Sequence, residues 1–169
     1  MDTNGSYTAE NRQEKWDTRF MEMARLVAHN SKDRSKQVGC VVVDSHNAVV
    51  STGYNGFPRG VDDNREERHE RPTKYLYTVH AEANAVADAA RRGCSLLGTT
   101  AYVPWFPCAG CAGLLIQAGV KTLVCYKPVE TQYPLHSKWG PEFKAALVML
   151  GEAHITVRYL EGQPIEVTP

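Results

Sequence analysis

From Asn11 onward, apolar residues recur at Trp16, Phe20, Met23 or Ala24, and Val27, the spacing of one helical face. Asn11 with Glu14 three residues later has the form of a capping box, so the helix is expected to open there. The period then changes. Val38 to Asp44 (VGCVVVD) and Ala48 to Tyr54 are short apolar runs separated by Ser45-His46-Asn47, which predicts a hairpin of buried strands. Gly53 to Asp63 (GYNGFPRGVDD) reads as a loop by its glycine and proline content, and the charged stretch from Asn64 to Lys74 as a solvated excursion. A second helix is predicted from Ala81 to Gly93, with an alanine-rich face small enough for close packing on a sheet. Strands at Thr100–Trp105 and Lys121–Tyr126 flank a helix from Cys108 to Ala118, closed by Gly119. Pro141 and Gly151 bracket a fourth helix with Phe143, Leu147 and Leu150 on one face, and His154 to Leu160 gives a fifth strand. The order α-β-β-α-β-α-β-α-β argues for an α/β fold of three layers, α-β-α, around a mixed five-stranded sheet.

One domain, residues 11–162, accounts for all of these elements; residues 1–10 are expected to form a flexible N-terminus and 163–169 a tail. A chain of 169 residues buries a full core without disulfides or a structural metal. Lysine plus arginine and aspartate plus glutamate stand at 19 each, so no general attraction for nucleic acid is expected. Five cysteines, two of them in one CxxC, do not make a secreted disulfide framework, and Cys40, Cys94 and Cys125 read as core or near-core residues. The first thirty residues hold charges throughout, and no run approaches membrane-spanning length. A cytoplasmic protein without a membrane or nucleic-acid partner is the expectation.

The chemistry sits in His80-Ala81-Glu82 and, twenty-eight residues after the histidine, Pro107-Cys108-Ala109-Gly110-Cys111. Each half alone is a weak signal. A histidine that opens a helix is commonly a cap, and a CxxC at a helix start is equally a redox pair with a depressed Cys108 pKa. Together they point to metal, because two adjacent helix N-termini would gather His80, Cys108 and Cys111 around one point and their dipoles would favour thiolates. Three ligands leave a tetrahedral zinc one position for water, whereas a structural zinc takes four, and no fourth cysteine or histidine stands at ligand spacing. Glu82 is placed to move that water's protons; glutamate is commonplace in a first helical turn, and its offset from His80 is what singles it out. H-x-E…P-C-x-x-C is a known signature of zinc-dependent nucleobase deaminases, so this step is recognition of a motif. It implies hydrolytic deamination of an aminopyrimidine or aminopurine, with redox or structural zinc as the alternatives.

Beyond the motif, the chain resembles the deoxycytidylate (dCMP) deaminases of the cytidine deaminase fold, from Trp16 to about Leu160. The resemblance rests on Ser31-Lys32-Asp33 with Gln37-Val38-Gly39, on Gly53-Tyr54-Asn55-Gly56-Phe57-Pro58-Arg59-Gly60 and on Asp62-Asp63. It continues through Thr73-Lys74-Tyr75, the HAEANA run from His80, Phe106-Pro107-Cys108 and Leu115 to Val120. It implies deamination of dCMP, plain or 5-substituted, to dUMP and ammonia, with one catalytic Zn2+ on His80, Cys108 and Cys111 and Glu82 as proton shuttle. It further implies that Asn55 holds the sugar and that the backbone around Ala81, Trp105 and Phe106 reads the pyrimidine edge. Arg34 joins the substrate-binding residues as a phosphate candidate, as do Lys36, Arg65, Arg68, Arg71 and Lys74, each of them also readable as an ordinary solvated charge. Family members usually form homo-oligomers, often hexamers, and many respond to dCTP and dTTP. On that resemblance Gly56, Phe57 and Arg59 form an effector or phosphate site, with Mg2+ accompanying a nucleoside triphosphate. Taken from the residues alone, the same loop is a plain turn, with glycines supplying φ > 0 and proline fixing φ. Trp105 is likewise either a residue that stacks on the base or a strand-end tryptophan packed on the core. A deaminase of free cytosine or guanine nucleosides or bases, or of tRNA adenosine, is the alternative; the neutral charge weighs against RNA.

Overall fold

The computed structural model describes residues 8–128, 140–162 and 164. The predicted tail at 163–169 and the first seven residues therefore lie almost wholly outside the described residues. Helix α1 (Ala9–Ala28) opens at Ala9 and not at Asn11, because Thr8 is the cap: its hydroxyl accepts the Asn11 N–H at 3.2 Å. Phe20 and Ala24 are buried and Met23 is 40% exposed, so alanine fills the stripe where the sequence left two candidates. The stripe also buries an acid that the apolar pattern did not reveal. Asp17 accepts from Tyr102 Oη at 2.7 Å and from Arg158 Nε and Nη2 at 2.9 and 2.8 Å. This cluster ties α1 to two strands of the sheet.

The strands are β1 (Gly39–Val43), β2 (Val49–Tyr54), β3 (Thr100–Tyr102), β4 (Thr122–Tyr126) and β5 (Thr156–Leu160), in the order β2-β1-β3-β4-β5. β1 runs antiparallel to β2 and β3, while β3, β4 and β5 are parallel, so the sheet is mixed as expected. Strand alternation divides the core in two. Val41, Val43, Tyr102 and Val124 face α1; Cys40, Val42, Ala101, Val103, Leu123 and Cys125 face the opposite layer. Each fully buried valine or leucine contributes about 1.5–3 kcal/mol. The opposite layer holds α3 (Ala81–Arg92), α4 (Ala109–Gln117) and α5 (Gly140–Glu152).

Several boundaries differ from the sequence reading. β3 stops at Tyr102: Val103 still donates to Val124 O at 3.1 Å, and Pro104 has no N–H with which to continue. β5 starts at Thr156, since His154 takes a left-handed turn at φ 53. α5 runs through Gly151, and its buried face is Phe143, Ala146 and Leu150, with Leu147 54% exposed. The charged excursion is not wholly solvated. It contains a 3-10 turn at Glu66–Arg68 and enters a short helix, α2 (Lys74–Tyr77), whose Lys74 is buried. Within GYNGFPRG only Gly60 has positive φ, at 80.

Candidate active site

α3 and α4 begin with unusual caps. His80 and Cys108 occupy the N-cap positions in extended conformation, and neither makes a side-chain capping hydrogen bond. Serine, threonine, aspartate or asparagine would turn back onto the helix there. These two side chains face each other instead. His80 Nδ1 lies 3.5 Å from Sγ of both Cys108 and Cys111, and the three donor atoms fall within 4.8 Å of one another. A tetrahedron with Zn–N near 2.0 Å and Zn–S near 2.3 Å has N···S edges of about 3.5 Å, so the donor set fits zinc in both type and spacing.

The electrostatics favour a cation. Hydrogen bonds from the Cys111 thiol and then from His80 hold Cys108 down to about 4 despite burial, while His80, bonded to Cys108, is raised to about 9. Cys111 is pushed up, first by its hydrogen bond to Cys108 and then by burial. A divalent cation bound here would displace both the Cys111 thiol proton and the proton of the His80 imidazolium.

α3 reaches this point because Gly53 on β2 has no side chain. A Cβ there would stand 2.2 Å from Ala81 O and 2.3 Å from Ala85 N. The first turn of α3 therefore lies directly on the strand and carries Glu82 with it, only 5% exposed. Burial pushes the Glu82 carboxyl above its ordinary range, with His80 opposing.

A cleft of about 620 Å³ opens here, lined by His80, Ala81, Glu82, Cys108, Asn55, Trp105 and Phe106 among others. Asn55 is already engaged with the backbone: Oδ1 accepts Val38 N–H at 2.8 Å and Nδ2 donates to Lys36 O at 2.9 Å. Trp105 is half-buried, packed against the core, and carries Lys36 Nζ 3.4 Å above its ring. Phe106 meets Phe143 of α5 edge to face, with centroids 6.3 Å apart.

Arg34 is not in this cleft. It forms a forked pair with Glu66, with Nη2 to Oε2 at 3.0 Å. It lines a neighbouring hollow of about 210 Å³ together with Gly56, Phe57 and Arg59, and the two spaces share Asp33, Lys74 and Thr78. Sequence reasoning missed Glu142 altogether. Its Oε2 accepts Ala109 N–H at 3.2 Å, supplying to α4 the cap that Cys108 withholds. Nothing near residue 142 in the sequence signals a partner thirty-three residues earlier.

A family model for the cytidine and deoxycytidylate deaminase zinc-binding region matches residues 14–127. The chain belongs to this family. A deaminase of Aliivibrio fischeri is 42% identical over 146 residues, covering 86% of this chain and 94% of that one. A Caenorhabditis elegans protein named a probable deoxycytidylate deaminase is 39% identical over 158 residues, covering 92% of this chain and 71% of its own. Among solved structures, the dCMP deaminase of cyanophage S-TIM5 superposes with TM-score 0.66 at 23% identity, covering 86% of this chain and 98% of that one. That likeness establishes the cytidine deaminase fold. The His, Cys and Cys donors agree with membership of a zinc-binding family. No helix among the described residues is long and apolar enough to cross a membrane.

Proposed function

We propose that the protein hydrolyses dCMP to dUMP and ammonia, using one zinc ion held by His80, Cys108 and Cys111. The observation that carries this reading is the convergence of the three donor atoms within 4.8 Å at the wall of a cleft that also contains buried Glu82. The deoxycytidylate deaminase name borne by a relative 39% identical supports the substrate. When bound, zinc supplies Lewis-acid activation of water, making a nucleophile available near neutrality. Glu82 takes a proton from the attacking water and delivers it to the cytosine ring nitrogen. It then takes the hydroxyl proton of the tetrahedral adduct and passes it to the amino group, which leaves as ammonia as the carbonyl forms, and its burial suits a carboxyl that alternates between the two states. Asn55 retains a second Nδ2 N–H for the sugar. Backbone at Ala81 and Phe106 meets the base edge, while Trp105 forms an aromatic wall of the cleft.

A regulatory site belongs to the same proposal. The smaller hollow gathers Gly56, Phe57 and Arg59, an aromatic ring and a cation suited to a nucleoside triphosphate with Mg2+, such as dCTP or dTTP, while its Lys32 and Arg34 are paired with Asp63 and Glu66. Assembly into a homo-oligomer, as the family resemblance implies, belongs to the same reading. The balanced charge of the chain fits a cytoplasmic enzyme that acts on a small nucleotide and not on nucleic acid.

Ammonia release from dCMP, CMP, deoxycytidine, 5-methyl-dCMP, guanine and adenosine, with metal analysis, tests the reading. About one zinc per chain and a clear preference for dCMP are expected. A zinc-free protein with a reversible Cys108–Cys111 disulfide would overturn it.

A further inference from the structure

The geometry points to Glu142, on the first turn of α5, as the positioning residue for the Cys108 ligand, an inference that rests on the zinc reading above. The two halves of the donor set are held differently. His80 and Glu82 travel with α3, which is pressed onto β2 at Gly53. Cys108 follows a segment that leaves the sheet. Beyond β3, Val103 N–H still donates to Val124 O at 3.1 Å, and Pro104 O accepts Tyr126 N–H at 3.3 Å. The chain then bends at Pro104 and Trp105 and runs to the start of α4.

Two adjacent residues of α5 meet this segment on either side of Cys108. Phe143 meets Phe106, two residues before the ligand, edge to face with centroids 6.3 Å apart. Glu142 Oε2 accepts the N–H of Ala109, the residue after the ligand, at 3.2 Å. Pro107 is fully buried and its ring fixes φ, so the path from Phe106 to Cys108 has little freedom. Glu142 and Phe143 line the same cleft as Cys108.

A serine or aspartate at the N-cap would make this support local, because its own side chain would accept an amide of the first turn. Cys108 makes no such capping bond, and its sulfur is committed to the donor set, 3.5 Å from His80 Nδ1. The amides that open α4 carry the positive end of its dipole, where a carboxylate is favoured over a neutral acceptor. Glu142 therefore supplies from α5 what the cap residue would supply from within the chain. It stands outside the group of close donor atoms, which among the described residues is His80, Cys108 and Cys111. Cys111 lies in the same first turn, where Ala112 N–H bonds Cys108 O at 2.9 Å. A shift at Ala109 thus displaces both sulfurs relative to His80. Groups that orient metal ligands in this way alter metal affinity by about 10–100-fold.

The test measures zinc affinity by chelator competition, and the absorption spectrum with Co2+ in place of zinc, in full-length wild type, Glu142→Ala and Glu142→Gln. Glutamine keeps an oxygen that can accept the Ala109 N–H, so it separates the hydrogen bond from the charge. Glu142→Ala is expected to bind zinc about tenfold or more weakly and to shift the sulfur-to-cobalt absorption band, with partial recovery of both in Glu142→Gln. A merely structural role for Glu142 would lower the melting temperature of the metal-free protein and leave zinc affinity and the cobalt band as in wild type; that result overturns this inference alone. A Glu142→Gln variant no better than Glu142→Ala also overturns it, because the bond to Ala109 would then not be what holds the ligand. A wild type that binds neither metal overturns the zinc reading, and this inference with it.

Discussion

Replacing Gly53 with alanine tests whether the sheet sets the position of the catalytic helix. The added Cβ would meet Ala81 O at 2.2 Å, Ala85 N at 2.3 Å and Asn84 C at 2.8 Å, all of them backbone, whereas ordinary contact begins at 3.4 Å. No side chain can swing away, so the first turn of α3 must move off the strand by roughly 1 Å. His80 and Glu82 move with that turn, while Cys108 and Cys111 stay on α4. A misplacement of about 1 Å costs on the order of 100-fold in rate, and overpacking of this kind costs about 1–3 kcal/mol of stability. The expected result is a folded protein with weakened zinc retention in chelator competition, kcat lower by about two orders of magnitude and a reduced melting temperature. Gly113→Ala is the control, since a Cβ there meets nothing within 4 Å and alanine favours the helix by up to about 1 kcal/mol. Wild-type zinc affinity and turnover in Gly53→Ala would refute the argument that this close approach places the ligands.

Glu82→Gln keeps the size of the buried side chain but cannot shuttle protons; it should retain zinc and bind dCMP while turnover falls at least ~100-fold, and near-normal turnover would assign the proton transfers to another group. The Asp33–Lys74 pair should give a pH signature in stability. Burial opposes ionisation of Asp33, but hydrogen bonds from Lys74 and from the Ser35 and Lys36 amides outweigh it and hold the carboxyl below its ordinary value. A lowered folded pKa means that the contribution is fully present above the unfolded carboxyl value of about 3.9 and disappears as pH falls through the folded one. In urea denaturation the gap between wild type and Asp33→Asn should therefore be constant near neutrality and narrow below about pH 4; a gap that stays constant down to pH 3 would remove Asp33 as its source.

The sequence by itself determined the order of the elements, the mixed three-layer α/β class and the donor set. Hydrophobic period and turn residues are local properties, and His80, Glu82, Cys108 and Cys111 form two short motifs, each at the start of a helix. Convergence of those motifs follows from parallel strands that bring successive helix starts to one edge of the sheet. Other features depend on contacts between residues far apart in the chain, and only the tertiary structure decided them. Asp17 is buried because Tyr102 and Arg158 meet it there, and Glu142 caps a helix thirty-three residues earlier because α5 packs beside α4. Arg34, chosen from its place in a family-like segment, is turned away by Glu66, while Lys74, read in the sequence as a solvated charge or a phosphate contact, is buried against Asp33. The physical reason is common to all of them. Secondary structure follows from neighbours along the chain, whereas the direction of a charged side chain follows from the partner that compensates it, and that partner is chosen only when the layers pack.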